Sequence, residues 1–380
     1  MSVSVSRDDL FGLVQKAYAV APQKSSLQIL MNLMISCSAN GIEISATDLD
    51  QSIVCSGRVT GKGSFKVAVN SRKLFDIVRE MPPGEVSIEE DENVLSIVSE
   101  KGFSCKVAGA DVADFPGFPE TADTVDFSIA AQDFRRLTER SAFAVAKDTT
   151  RSCLCGVLME VDGEGVRMVG TDGHRLGSNV CRFSTGVRSR VCAIASPKSL
   201  QHVARITESE GEQDQTLSIS VGEKYLVAAG RDFRLYSKLL DGPYPDYAKV
   251  IPKSNPKSAV VDRVALIDAV RRVSVLSNQK THLIKFRFEE GTLEIAVVNR
   301  EIGGEAREVV PITYDGEAHS IGFNAQYLSE ILTIAGGQKV KLEMNTQISA
   351  CLALPLDDKT GKVLPEDLFL IMPLRLMDET

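Results

Sequence analysis

Residues 17–21 read Ala-Tyr-Ala-Val-Ala and residues 142–146 read Ala-Phe-Ala-Val-Ala, 125 positions later. About thirty residues after each, Thr47-Asp48 recurs as Thr171-Asp172, an offset of 124. A blurred third copy has Val273-Ser-Val-Leu-Ser277 and Val298-Asn299 in the two roles. Markers that keep their spacing over such a distance mean one unit written three times. The period is too long for a solenoid and has the size of a domain. At 380 residues the chain has room for two or three domains of roughly 150 residues. Proline-rich segments fall where the repeat requires joints: Asp114-Phe-Pro-Gly-Phe-Pro119, and Pro243-Tyr-Pro245 through Ile251-Pro-Lys-Ser-Asn-Pro256. The expected domains are 1–120, 125–252 and 257–380.

Each unit divides again. Its first half opens with a helical pattern of positions three and four apart: Leu10, Leu13, Val14 and Ala17; Phe134, Leu137 and Ser141; Leu266, Ile267, Val270 and Val273. Hairpins follow, with turns at Asn40-Gly41, Asp162-Gly-Glu-Gly165 and Glu289-Glu-Gly291. The second half repeats the theme, with a strand leading into a helix that starts at Asn70-Ser71, Ser196-Pro197 or Asn324. Helices are expected over 7–20, 71–80, 132–147, 196–208, 263–272 and 324–335. This order predicts an α+β fold of three similar domains, each two helix-plus-sheet halves, with helices on one face of mainly antiparallel sheets.

Enzyme chemistry finds no foothold. Gly61-Lys-Gly-Ser64 lacks the frame of a phosphate loop and reads as a hairpin turn. His174, His202, His282 and His319 are not spaced with one another or with cysteines as a metal site requires, and no cofactor is implied. Asp172 and His174 have no nucleophile elbow beside them. Eight cysteines, scattered singly or as Cys153-x-Cys155, fit reduced thiols in a cytoplasm. The start has no basic-then-apolar leader, and the apolar stretch at 27–37 is interrupted by Gln28, Asn32 and Ser36, so neither signal peptide nor membrane span is expected.

Two segments stand apart. Thr171-Asp-Gly-His-Arg-Leu176 gathers charge, a glycine and an imidazole where a hairpin ends; it reads equally as a polar turn capped by Asp172 and as a functional loop. Ile371-Met-Pro-Leu-Arg-Leu376 reads as an apolar edge strand interrupted by proline, an adaptable surface for partner peptides.

Together with Leu239-Leu-Asp-Gly-Pro-Tyr-Pro-Asp-Tyr247, Val250-Ile-Pro252 and Leu276-Ser-Asn278, these segments resemble the bacterial sliding clamps, the β subunits of replicative DNA polymerase III. The resemblance runs through all three units. It implies a non-catalytic processivity factor: a head-to-tail homodimeric ring around duplex DNA that tethers the polymerase, the clamp loader and repair proteins. It places the DNA-facing residues at Lys24, Arg72, Lys73, Arg151, Lys198 and Arg205; Arg271 and Arg272 are added on charge alone. It places a partner-peptide pocket at Leu154, Thr171, Gly173, His174, Arg175, Leu176, Pro245, Lys249 and Val250, completed by Leu370, Met372, Pro373, Leu374 and Arg375. The ring interface maps to Val275 and Leu276 on one side and the edge near Cys105 and Val107 on the other. Departures from the family pattern are Lys249 for an arginine, Cys153 for an aromatic and a longer polar loop from Pro355 to Asp367. An acidic tail, Met377-Asp-Glu-Thr380, extends past the usual end and can hover over the pocket.

Charge tests the implication. A net charge of −8 argues against an ordinary DNA binder, but the six expected helices carry +5, leaving −13 for the rest. Basic helices toward DNA and acidic sheets outward suit a ring that tolerates phosphates without gripping sequence. A tight linear-DNA binder would show stronger basic clustering, and a hydrolase would need a converging nucleophile and base.

Overall fold

The computed structural model describes residues 2–209 and 215–376. The first repeat runs β1 (Val3–Ser6), α1 (Arg7–Tyr18), β2 (Asn32–Ser38), β3 (Gly41–Thr47), β4 (Gln51–Gly57), β5 (Thr60–Gly61), β6 (Phe65–Asn70), α2 (Ser71–Glu80), β7 (Glu85–Asp91), β8 (Val94–Ser99) and β9 (Ser104–Ala108). The second runs β10 (Val125–Ala130), α3 (Ala131–Ala142), β11 (Val157–Asp162), β12 (Gly165–Thr171), β13 (Arg175–Arg182), β14 (Val191–Ala195), α4 (Pro197–Ser209), β15 (Thr216–Val221), β16 (Tyr225–Ala229) and β17 (Phe233–Lys238). The third runs β18 (Lys257–Asp262), α5 (Arg263–Ser274), β19 (Leu283–Glu289), β20 (Thr292–Asn299), β21 (Gly304–Thr313), β22 (His319–Asn324), α6 (Ala325–Ala335), β23 (Lys339–Met344), β24 (Cys351–Pro355) and β25 (Asp367–Ile371). The order is the same three times, except that the second repeat has no counterpart of β5 among the described residues and that β21 fuses the roles of β4 and β5 in the third.

Local chemistry explains the boundaries. Leu33, Ile35 and Cys37 of β2 alternate inward, burying one face of the strand. Asn70, Asp262 and Asn324 cap α2, α5 and α6 by accepting backbone N–H bonds from Lys73, Ala265 and Tyr327. The helix expected over 132–147 stops at Ala142. Its terminal turn is taken over by tertiary partners: the Phe143 carbonyl accepts from Arg175 Nη2 at 2.9 Å, and the Ala146 N–H donates to the Leu154 carbonyl. A cation bonded to a carbonyl at a helix C-terminus stabilises that end. The alanine-rich marker of the repeat is therefore the end of the first helix.

The chain groups into two compact units, one comprising residues up to 134 with 198–239, the other 135–197 with 240 onward. Among the described residues, the first unit has an eight-stranded sheet in the order β10-β15-β16-β17-β4-β3-β2-β6 and a five-stranded sheet β5-β1-β7-β8-β9. The β17–β4 ladder pairs Phe233 with Cys55, Leu235 with Ile53 and Ser237 with Gln51, joining the second repeat to the first. Here α1 lies beside α2, with Tyr18 stacked on Phe75 at 4.4 Å.

The second unit is built on a twelve-stranded sheet, β14-β11-β12-β13-β25-β24-β23-β18-β21-β20-β19-β22. Its β25–β13 ladder pairs Ile371 with Arg175 and Phe369 with Gly177, joining the third repeat to the second in the same way. Phe286, Phe288 and Phe323 pack with Leu266, Val270, Leu328 and Ile331 as one core under α5 and α6.

One expectation is corrected. β25 is not an edge strand: it lies between β13 and β24, and it ends at Ile371, so Pro373 falls after the ladder and disrupts nothing. The polar loop after Pro355 is held by its own bonds: Leu356 bridges Val363, Asp357 accepts from the Thr360 N–H at 2.7 Å, and Asp358 accepts from the Gln338 N–H at 2.7 Å. The Met377–Thr380 tail lies outside the described residues.

Candidate peptide-docking cleft

The Thr-Asp marker builds the same turn in two repeats. Thr171 Oγ1 donates to the Arg175 carbonyl at 2.6 Å and accepts the Gly173 N–H at 3.1 Å, while Asp172 Oδ1 accepts from the N–H groups of His174 and Arg175 at 2.8 and 3.0 Å. In the first repeat Thr47 Oγ1 meets the Gln51 carbonyl at 3.0 Å and the Leu49 N–H at 3.1 Å, and Asp48 Oδ1 accepts from Asp50 and Gln51. Gly173 takes φ +86° and Leu49, its counterpart, φ +76°. Only glycine adopts that conformation freely.

The turn exposes His174 and buries Arg175, whose side chain is 3% exposed. Arg175 Nε reaches Asp172 Oδ2 at 3.1 Å and Nη1 reaches Glu330 Oε2 at 2.5 Å. Its guanidinium lies 4.4 Å from the Tyr327 ring centroid and 5.4 Å from that of Phe143. One side chain thus ties the end of α3, the β12–β13 turn and α6 together, using the planar fork that lysine lacks. Arg175 supports the turn from within and offers no accessible surface of its own. Backbone proximity adds to this: a Cβ at Gly170 would sit 2.1 Å from the Ser141 carbonyl oxygen, and one at Gly177 2.4 Å from that of Arg140.

Past Ile371 the chain crosses this turn. The Met372 N–H donates to the His174 carbonyl at 2.8 Å, and the Leu374 N–H to the Gly322 carbonyl at 2.8 Å. The His174 ring lies 6.3 Å from Tyr327. Beside this segment lies an apolar cluster of Leu158, Val169, Leu176, Ile194, Ala350, Leu352, Leu354 and Leu370, packed against Cys153, Leu240, Tyr244, Tyr247 and Ile251. Tyr244 donates to the Val169 carbonyl, and burial pushes its phenol well up from the ordinary value. Tyr247 donates to Glu160 at 2.8 Å and is pushed up to about 12, by burial first and Glu160 second. These bonds hold the loop carrying Pro245, Lys249 and Val250, all exposed, against the sheet.

The sequence-named pocket residues thus separate into Leu176 and Leu370, buried in that apolar cluster, Leu154, which is buried but not among the cluster's residues, and accessible positions: the half-buried Thr171, Pro373 and Leu374, and the exposed Gly173, His174, Pro245, Lys249, Val250, Met372 and Arg375. Met372, Val250 and Ile348 leave 36%, 53% and 64% of their surfaces open, far more than a core residue. Tyr327 and Glu330 were missed; three apart on α6 and on one helical face, they were legible as a pair but not as neighbours of Arg175. A cavity of about 400 Å³ is lined instead by Glu160, Asp162, Arg167, Arg190 and Tyr247 among others. Its charges answer one another, Arg190 and Arg167 both meeting Glu160, so it offers little to apolar anchors.

Lys24, Arg72, Lys73, Arg151, Lys198, Arg205 and Arg271 are exposed. Lys198 is paired with Asp48 at 2.6 Å. Arg272 does not extend freely: its guanidinium is held by Glu308 on β21 at 2.6 and 2.9 Å. Val275 is 79% exposed, Leu276 and Cys105 are half-buried, and Val107 is buried on the inner face of β9. Among the described residues no cluster of His, Cys, Asp and Glu could hold a metal, and no helix is long and apolar enough to cross a membrane.

Comparison with known proteins agrees along the whole chain. Family models for the DNA polymerase III beta subunit match residues 1–119 (N-terminal domain), 128–246 (central domain) and 248–366 (C-terminal domain). The beta sliding clamp of Pseudomonas aeruginosa is 32% identical over 99% of this chain and 100% of that protein, and that of Escherichia coli is 29% identical over the same shares. The crystal structure of the P. aeruginosa DNA polymerase III subunit beta aligns at 30% identity with a TM-score of 0.90, covering 99% of this chain and 100% of that one. A sliding clamp of the same organism bound to griselimycin aligns with a TM-score of 0.92 at 30% identity and the same coverage.

Proposed function

The chain belongs to the DNA polymerase III beta subunit family, the beta sliding clamps, and from that membership we propose how its residues do the family's work. It is a non-catalytic processivity factor of DNA replication. Two copies join head to tail around duplex DNA, and partners dock by apolar peptides in the cleft between the β12–β13 turn, the Tyr247–Val250 turn and the Met372–Leu374 segment.

The observation that carries the reading is a strand joint used twice with one complementary pair of edges left over. β17 docks on β4 and β25 docks on β13; their counterparts β9 and the 304–310 stretch of β21 have no such partner among the described residues. An exposed edge of this kind is a template for pairing. In the ladders, Cys105 stands where Leu235 and Phe369 stand, and Ala306 where Ile53 and Gly177 stand. Applied between copies, the same joint sets Cys105 opposite Ala306. Apolar surface flanks both edges, Phe103 and Val98 on one, Val275, Val298 and Ile302 on the other. Lys101 and Lys106 lie along one edge, and Glu305 with Glu301 in the turn before it lies along the other, so the edges carry opposite charges as well.

For DNA, the six helices as formed carry +4 of a total of −8, and the exposed cations on α2, α4 and α5 give weak, salt-sensitive phosphate contact. Retention then comes from enclosure. The test is the mass of the chain by light scattering with a disulfide probe. Ala306→Cys, opposite Cys105, should trap a covalent dimer under mild oxidation, and loaded rings should leave linear DNA but not closed circles. A monomer, or equal retention on both DNAs, refutes the reading.

A further inference from the structure

Resting on the ring reading, we infer that the joint between copies lacks the ion-pair clasp that locks both joints within a chain, and that this makes it the joint able to part. Lys16, Arg140 and Arg272 are each the tenth residue of α1, α3 and α5. In the first two repeats this cation reaches an acid contributed by the incoming strand of the next repeat. Lys16 Nζ meets Asp232, just before β17, at 2.6 Å, and Arg140 Nη1 meets Asp367, the first residue of β25, at 2.9 Å. Both cations are largely buried, their side chains 10% and 17% exposed. Arg140 also donates to the Ala335 carbonyl at 2.7 Å, and Asp367 accepts from Asn179 Nδ2 at 2.5 Å.

The third copy rearranges these parts. By ladder position Glu308 replaces Asn179, and Phe103 replaces Asp367. The carboxylate has moved from the incoming strand to the receiving one, so Arg272 finds Glu308 within its own chain and stays 61% exposed. Parting either internal joint breaks these short charge-assisted bonds, Lys16 to both carboxylate oxygens of Asp232 in one and Arg140 to Asp367 in the other. Parting the joint between copies leaves every ion of this group paired. An exposed pair such as Arg272–Glu308 adds little to closure. The joints share a ladder and differ in their charge wiring.

Subunit exchange between rings labelled with donor and acceptor dyes tests this. Glu308→Gln should change the exchange rate by less than about threefold, since an exposed intrachain pair contributes little. The paired change Phe103→Asp with Glu308→Asn rebuilds the Arg140–Asn179–Asp367 arrangement across copies. It should slow exchange by about tenfold or more, equivalent to about 1.4 kcal/mol of new coupling, and adding Arg272→Gln should erase the gain. Exchange about tenfold faster in Glu308→Gln, or a response of the paired change that is independent of Arg272, overturns the inference. The Glu308→Gln result decides the matter even if the paired variant does not fold. A wild-type chain that runs as a monomer overturns the ring and this inference together; a dimer failing the exchange test overturns only the clasp.

Discussion

Replacing Arg175 by alanine should damage both stability and peptide docking, although the side chain is sealed from solvent. The structure sets the magnitude. The variant loses a charged hydrogen bond to the Phe143 carbonyl, ion pairs with Asp172 and Glu330, and stacking on Tyr327 and Phe143. A hydrogen bond to a charged group contributes about 1.5–3 kcal/mol and a cation–π contact about 0.5–2 kcal/mol. Glu330 is 46% exposed and rehydrates, so its pairing adds little. The expected loss is about 3–4 kcal/mol for the unit that contains Arg175. Urea unfolding followed by circular dichroism should show it, and fluorescence polarisation should show peptide affinity falling as His174 and Met372 lose their common support. Arg175→Lys separates charge from geometry: one ammonium cannot reach the carbonyl, two carboxylates and two rings at once, so most of the loss should persist. Wild-type stability within about 1 kcal/mol and unchanged affinity in Arg175→Lys would refute the reasoning.

Three further outcomes follow from other sites. His202 is buried against Gln51, and desolvation first, then Lys198 and Arg205, lower its pKa from 6.5 to about 4. The unfolded chain therefore takes a proton that the folded one refuses. Stability from this site is complete above pH 6.5 and falls as pH drops toward 4, by about 2 kcal/mol at pH 5, a slope that His202→Asn should flatten; an identical pH profile in the variant would count against it. Gly173→Ala should cost about 1–2 kcal/mol through φ alone, because a Cβ there meets nothing within 4 Å, whereas Leu49→Gly in the matching turn should be neutral or stabilising by about 1 kcal/mol; opposite signs in thermal unfolding would contradict the shared geometry. Met372→Ala with Leu374→Ala should abolish peptide binding by polarisation while light scattering reports an unchanged dimer, and retained binding would move the cleft elsewhere.

Much of the fold could be read directly. The helix starts at Asn70, Ser196-Pro197 and Asn324 follow from cap and first-turn residues, and the strands from alternation, since these depend on neighbours a few residues apart. Where the reading failed, distant partners had intervened. α3 stops at Ala142, and the Phe143 carbonyl just past its end is bonded by Arg175, 32 residues on. Pro373 looked like an interruption of an edge strand, but β25 had already ended, paired on both sides. Arg272 looked like a free cation because Glu308, 36 residues away, is its partner only once β21 folds back.

The tripled text by itself determined the architecture. A repeated pattern of periodicities and caps builds the same β-α-β elements wherever it occurs, because those preferences are local. Which repeats touch, and what each joint contains, was decided only by tertiary structure. Strand edges and buried charges find partners across scores of residues, so Thr171-Asp-Gly-His-Arg-Leu176 gained its neighbours only when Met372 crossed it and Tyr327 packed on Arg175. The same packing distinguished one edge, β21 with its self-paired Arg272 and Glu308, from two otherwise equivalent joints.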